Sequence, residues 1–299
     1  MAWQKNLHRP YAATALILLL QVAATVAQAQ NRVDPSKVSI VSRVPGMERA
    51  VVRRDVVFDN STAPPLAFDV YLPREARAGE RRPAIVFVSG AERVREWRWF
   101  VTWGQLAAAH GIVAVVPDKR YPRGFDGLRT GFEDTEKLLA HLRANGERLG
   151  IDPLRICLWT FSAGGRLTAV GLKAGAQAVT CVVVFYGVVD LAQEFSTVTD
   201  EKQRATLLRQ YSPLHALEAA AGAGAKLPPI MIARAGKDAP FINAGIDAFT
   251  AAALRLNVPL TVVNYADGDH GFDGLNDTPQ SRAIIQAALQ FVMDNTARR

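Results

Sequence analysis

Cysteine is almost missing from this chain: two occur in 299 residues, beside five histidines, and none of these falls into a pair or cluster with the spacing of a zinc site. The G-x-x-x-x-G-K-[ST] loop that cradles phosphate is absent as well. Arginines are scattered, and no basic stripe interleaved with aromatics runs along one element. The net charge of +7 therefore reads as a solvated basic surface, and no nucleic-acid partner is expected. Acidic residues crowd once, at Asp267, Asp269, Asp273, Asn276 and Asp277, without the closing glutamate and the alternation of an EF-hand loop. No metal and no cofactor are expected. No internal repeat is present, which argues against solenoids and propellers.

With 49% hydrophobic and 21% charged residues, the composition is that of a soluble globular chain with a sizeable core. The first residues stand apart. Lys5 and Arg9 precede the apolar run YAATALILLLQVAATVA and then Ala27, Gln28 and Ala29, the grammar of a secretory signal peptide ending at residue 29. An N-terminal membrane anchor is the alternative, disfavoured because the run is short and carries Thr14, Gln21 and Thr25. No other segment is long and apolar enough to span a bilayer, so the expectation is an exported protein, periplasmic or secreted, without stable membrane insertion once the signal is removed. In that compartment Cys157 and Cys181 are free to pair. Each begins an apolar run, however, and bridges between neighbouring parallel strands fit disulfide geometry poorly, so two buried thiols are expected.

Eight apolar runs rich in Val and Ile follow one another. RAVVRRDVVF and LAFDVYL, joined by the turn DNSTAPP, suggest an opening antiparallel pair. PAIVFVSG, GIVAVVPD, RICLWTF, TCVVVFYG, PIMIARAG and LTVVNYAD then alternate with segments at helical spacing. Continuously apolar strands alternating with helices predict an α/β fold, a mostly parallel twisted sheet of about eight strands covered on both faces. Leu191 to Lys226 breaks the rhythm and reads as a small insertion of one or two helices, a candidate cap, within a single domain over residues 30–299.

The stretch LWTFSAGGRL places Ser162 between a strand and a helix. That is the context of a nucleophile elbow, where small residues two before and two after the serine let strand and helix pass closely. Gly164 fits, whereas Thr160 stands where glycine is usual. An N-capping serine is the plain alternative. A nucleophilic serine needs a base and an acid to orient it. His270 stands in a loop directly after a strand, in YADGDHGFDG, while His110 and His141 lie on helices. Asp238, in ARAGKDAPF, follows the preceding strand, and Asp190 is the second choice of acid. Oxyanion donors are expected from the backbone of Ala163 and from Gly90 or Ala91 after PAIVFVSG. Trp97, Trp99 and Trp103 cluster next, followed at a distance by Tyr186. Trp97, Trp99 and Tyr186 are candidates for a pocket wall, with plain packing as the alternative, and Arg93, Arg95 and Arg98 are expected to be solvated.

On the motifs TFSAGG, AGKDAP and DHGFD, in the order Ser, Asp, His, the chain resembles the α/β-hydrolase superfamily, and within it dienelactone-hydrolase-like and acetyl-esterase-like enzymes. The resemblance runs from about Val51 to the last helix. It implies a serine nucleophile at Ser162, a base at His270 and an acid at Asp238, acting on a small-molecule ester. Dienelactone hydrolases use cysteine at the nucleophile position, so general ester hydrolysis is implied more strongly than lactone chemistry. Ser89 replaces the histidine that many relatives carry in the oxyanion loop. That change, with Thr160, motivates a non-catalytic binding protein of the same fold as a rival reading, and a small peptidase is another.

Overall fold

The structure, a computed structural model, describes residue 34 and residues 36–77, 79–120, 125–173 and 179–297. The expected signal segment lies outside the described residues. All eight apolar runs form strands: β1 Val51–Asp59, β2 Leu66–Leu72, β3 Arg82–Val88, β4 Val113–Pro117, β5 Ile151–Phe161, β6 Cys181–Phe185, β7 Ile230–Ala235 and β8 Leu260–Tyr265. They join one sheet in the order β1-β2-β4-β3-β5-β6-β7-β8. β1 and β2 pair antiparallel, as do β2 and β4, and every later pairing is parallel.

Strand periodicity explains how one sheet supports two cores. Along β5, Ile156 and Leu158 point to one face while Cys157, Trp159 and Phe161 point to the other. The first face is covered by α2 Phe125–Asn145, α3 Thr168–Lys173, α5 Pro213–Gly222 and α6 Pro240–Arg255. The second is covered by α1 Arg98–Ala109 and α8 Pro279–Thr296, with a short α7 Phe272–Leu275 between β8 and α8. This second face is unusually aromatic: Trp103, Trp159 and Phe87 are fully buried, and the two indoles lie 4.8 Å apart. Such a pair adds about 0.5–1.5 kcal/mol beyond the area it buries.

The insertion supplies α4 Glu201–Tyr211, capped by the Asp200 side chain, and α5. Both lie on the first face, where Tyr211 meets Phe132 edge-on at 4.9 Å and Leu214 bonds back to Val189. Among the described residues, no helix is long and apolar enough to cross a membrane.

Two expectations are corrected. Cys157 and Cys181 form a disulfide instead of remaining thiols. The register of β5 and β6 sets them directly opposite each other on the same face, 4.7 Å apart at Cα, within the span a disulfide bridges. Arg95, expected in solvent, is drawn inward by three carboxylates, bonding Asp118 at 2.8 Å and Asp55 and Asp69 at 2.7 Å each.

The bridge closes a loop with a sequence separation of 24, for which loop-closure entropy predicts about 3–4 kcal/mol of stabilisation. Unreduced protein denatured in guanidinium should show no thiol reactive with a chromogenic disulfide. Urea unfolding of the Cys157→Ala, Cys181→Ala double variant should show a loss of at least that size.

Candidate active site

β5 ends at Phe161, and the chain turns at once into a 3-10 stretch, Ser162–Leu167, before α3 begins. The regular helix expected immediately after the serine is thus delayed by about two tight turns. Ser162 sits in the left-handed region at φ 53°, where a side chain is rarely placed. Two contacts hold it there. The Val188 N–H donates to the Ser162 carbonyl at 3.0 Å, and Gly164 packs so tightly that a Cβ would stand 2.5 Å from the Val88 carbonyl oxygen. Thr160, the departure from glycine, is fully buried and meets Thr168 hydroxyl to hydroxyl at 2.9 Å. At this crossing the strand therefore touches the following helix through a hydrogen-bonded Thr pair.

The loops after β7 and β8 bring the other two groups. Gly236 N–H donates to Tyr265 O at 2.8 Å and Lys237 N–H to Gly268 O at 3.0 Å, tying one loop to the other. Asp238 is left with its side chain only 3% exposed, one oxygen accepting from the Ala239 N–H at 2.7 Å and the other 2.7 Å from His270 Nδ1. His270 Nε2 is 2.8 Å from Ser162 Oγ. Serine, histidine and aspartate thus form one continuous hydrogen-bonded chain. Asp190, the second choice of acid, turns instead to the Ala192 N–H at 3.0 Å.

The oxyanion side is built on close backbone approach. A Cβ at Gly90 would lie 2.3 Å from Cβ of Ala163, so only glycine lets the loop after β3 touch the elbow. The Ala91 N–H donates to the Ser89 hydroxyl at 3.0 Å, and the Ala91 carbonyl accepts from Lys119 Nζ at 2.9 Å. No local pattern marks Lys119, since a lone lysine after an apolar strand carries no signal of burial. It is 6% exposed, and burial lowers its pKa to about 7, opposed by the charges of Glu92 and Asp134.

Over Ser162 lies a cavity of about 340 Å³, lined by Ser89, Gly90, Ala91, Trp97, Trp99, Phe100, Phe161, Ala163, Tyr186, His270, Gly271 and Leu275. Trp97, Trp99 and Tyr186 are therefore wall residues, while Trp103 is core. The insertion contributes none of these residues. Tyr186, at φ 40°, sets its ring 4.7 Å from that of His270. Asp273, expected only as one of an acidic group, is buried beneath the wall and accepts from Trp99, Trp103 and Tyr186. Burial pushes its carboxyl up against the pull of those three donors, and it pushes the Tyr186 phenol well above 10, so the phenol stays protonated and donates. The neighbouring acids are engaged elsewhere, Asp269 with Asn276 and Asp277 with Arg282. Among the described residues no group of three or more His, Cys, Asp or Glu is arranged for a metal ion.

Residues 101–274 match the family model described as alpha/beta hydrolase fold, and the chain belongs to that family. Among solved structures it is similar to native esterase 2, a thermophilic esterase of Thermogutta terrifontis. That match has a TM-score of 0.65 at 21% identity, covering 85% of this chain and 96% of that one. The same enzyme bound to propionate gives 0.64 at 20% identity over 85% and 98%. Its form phosphorylated by paraoxon gives 0.63 at 21% over 86% and 98%. At this identity the likeness is one of fold. No curated protein matches the chain.

An unfolded lysine takes its proton near 10.5 and folded Lys119 takes it near 7, so the unfolded chain binds more protons between those values. The residue's contribution to stability therefore falls as pH drops from 10.5 to 7 and is constant below. In urea unfolding, the stability of Lys119→Met relative to wild type should be greater at pH 7 than at pH 9.5.

Proposed function

We propose that the protein is an exported serine esterase that cleaves small, uncharged carboxylic esters through an acyl-enzyme. The observation that carries this reading is the chain Ser162 Oγ, His270 Nε2, His270 Nδ1 and Asp238 Oδ2, with links of 2.8 and 2.7 Å, opening into a cavity walled mainly by aromatic and apolar groups. Ser162 Oγ attacks the ester carbonyl as its proton passes to His270 Nε2. Asp238 holds the ring by Nδ1 and stabilises the imidazolium that forms. The oxyanion is received by the Ala163 N–H and a second donor from the Gly90–Ala91 turn, where Ala91 must exchange its bond to Ser89 for one to substrate if it serves. The imidazolium protonates the leaving alcohol, and water, deprotonated by the same nitrogen, releases the acid.

Apart from His270, every cavity residue is uncharged, which favours neutral esters over anionic ones. The neighbours described as propionate-bound and phosphorylated by paraoxon lend support, since a small carboxylate and an organophosphate each suit a serine acyl site. The non-catalytic reading loses its motive at Thr160, because the buried Thr pair supports the elbow. Export rests on the pattern of residues 1–29 together with the Cys157–Cys181 bridge, which suits an oxidising compartment.

Ser162→Ala should abolish p-nitrophenyl acetate hydrolysis and covalent labelling by paraoxon while the melting temperature stays near wild type. Full activity in the folded variant would overturn the mechanism. EDTA should leave wild-type turnover unchanged.

Asp238→Asn should lower kcat by roughly a thousandfold or more, because the ring is then held in the wrong tautomer. Asp190→Asn should cost far less, and the reverse order in stopped-flow or steady-state rates would move the acid to the loop after β6.

A further inference from the structure

Asp273 is fully buried three residues beyond His270, in the one-turn α7. Its Oδ2 accepts from the indole N–H groups of Trp99 and Trp103 at 2.8 Å each, and its Oδ1 from the Tyr186 hydroxyl at 2.5 Å. Its backbone carbonyl accepts from the Val41 N–H at 2.7 Å. Among the described residues no cation pairs with this carboxylate. Burying a carboxylate without a countercharge costs several kcal/mol, which an apolar side chain of similar size would avoid if packing were its whole role. Two of its three donors also belong to the site. Trp99 and Tyr186 line the cavity, and Tyr186 lies ring to ring with His270. Trp99 packs against the turn that follows the histidine so closely that a Cβ at Gly274 would stand 2.7 Å from its ring.

We propose that Asp273 is a positioning residue for the catalytic histidine and for the cavity wall, acting through Tyr186 and Trp99. The proposal rests on the hydrolytic reading of Ser162 and His270. The carboxylate does two things at once. It locks Tyr186, whose backbone is left-handed at φ 40°, into the one placement that braces the His270 ring. It also adds a negative charge to that of Asp238, on the Tyr186 side of His270, favouring the imidazolium formed when Ser162 gives up its proton. The groups facing His270 are Asp238 from the loop after β7, Ser162 from the elbow and Tyr186 from the end of β6. The charged groups nearby on those loops are Lys237, Asp267 and Asp269, and the Lys237–Asp267 pair is exposed.

The test uses Tyr186→Phe, which deletes only the hydroxyl, together with Asp273→Asn. Two readouts are taken: steady-state kinetics on p-nitrophenyl acetate, and NMR titration of the His270 ring in protein carrying labelled histidine, assigned with His270→Gln. Expected in Tyr186→Phe are a changed His270 ring shift and a fall in kcat of about tenfold with KM changed much less. In Asp273→Asn the His270 titration midpoint should move to lower pH, because a charge that favours the imidazolium is removed. If Asp273→Asn fails to fold, Tyr186→Phe alone decides. A folded Tyr186→Phe with wild-type kcat and an unmoved His270 ring shift would reduce Asp273 to a packing residue and overturn the proposal. Should wild type itself hydrolyse no ester, the esterase reading would fall, and the NMR shifts would still decide the role of Asp273.

Discussion

The left-handed backbone of Ser162 is the constraint around which the site is arranged. A non-glycine residue at φ 53° is costly, of order 1–3 kcal/mol, and persists only where its surroundings over-determine it. Here the parallel sheet does so from three sides. β3 offers the Val88 carbonyl and the Gly90 turn, β6 continues into the Val188 N–H, and β5 feeds the elbow through the Thr160–Thr168 contact. All three strands are neighbours in the centre of the sheet, so the strain falls where strands flank the elbow on both sides. The serine is thereby lifted off the strand end and presented to His270.

The same sheet order decides where charge is tolerated. The central strands carry apolar residues on both faces, and several ionic groups withdrawn from solvent stand in the loops beside the site: Asp238 and Asp273 on the histidine side, Lys119 and the half-buried Arg95 on the oxyanion side. Each is met by oriented donors or acceptors in place of water. The Lys119 amine lies under the loop expected to receive the oxyanion, and the proposed base His270 has Asp238 on its Nδ1 and, through Tyr186, Asp273. This placement follows the charges that develop in acyl transfer.

How much of this was legible depended on whether the information was local. Strands showed as apolar runs, five of the eight closed by Gly or Asp. Ser162, Asp238 and His270 showed because each stands at the end of such a run, where a doubly covered parallel sheet places its loops. The oxyanion turn was legible only to within Gly90 or Ala91. The disulfide is not legible locally, because the pairing of Cys157 with Cys181 depends on strand register, which no local pattern records. Asp273 passed as one member of an acidic loop, since its indole partners lie 174 and 170 residues away in sequence. Arg95 went astray for the same reason, as two of its carboxylate partners come from β1 and β2.

The position of the insertion bears on the second half of the reaction. In the proposed mechanism the acyl-enzyme is released only if water reaches His270 Nε2 after the alcohol has left, so a lid sealed over the serine would have to reopen in every cycle. α4 and α5 lie instead on the face of the sheet opposite to the aromatic core, and no residue of theirs lines the cavity. His270 keeps its side chain 40% exposed while Asp238 behind it is 3% exposed. The imidazole therefore has one edge in solvent and the other against a buried carboxylate. That asymmetry suits a base that must draw a proton from water on one nitrogen while its other nitrogen never changes partner. On the proposed esterase reading, an aromatic wall bonded from behind by Asp273 would shape the acyl pocket without closing it, and selection among esters would rest on the positions of Trp97, Trp99 and Tyr186.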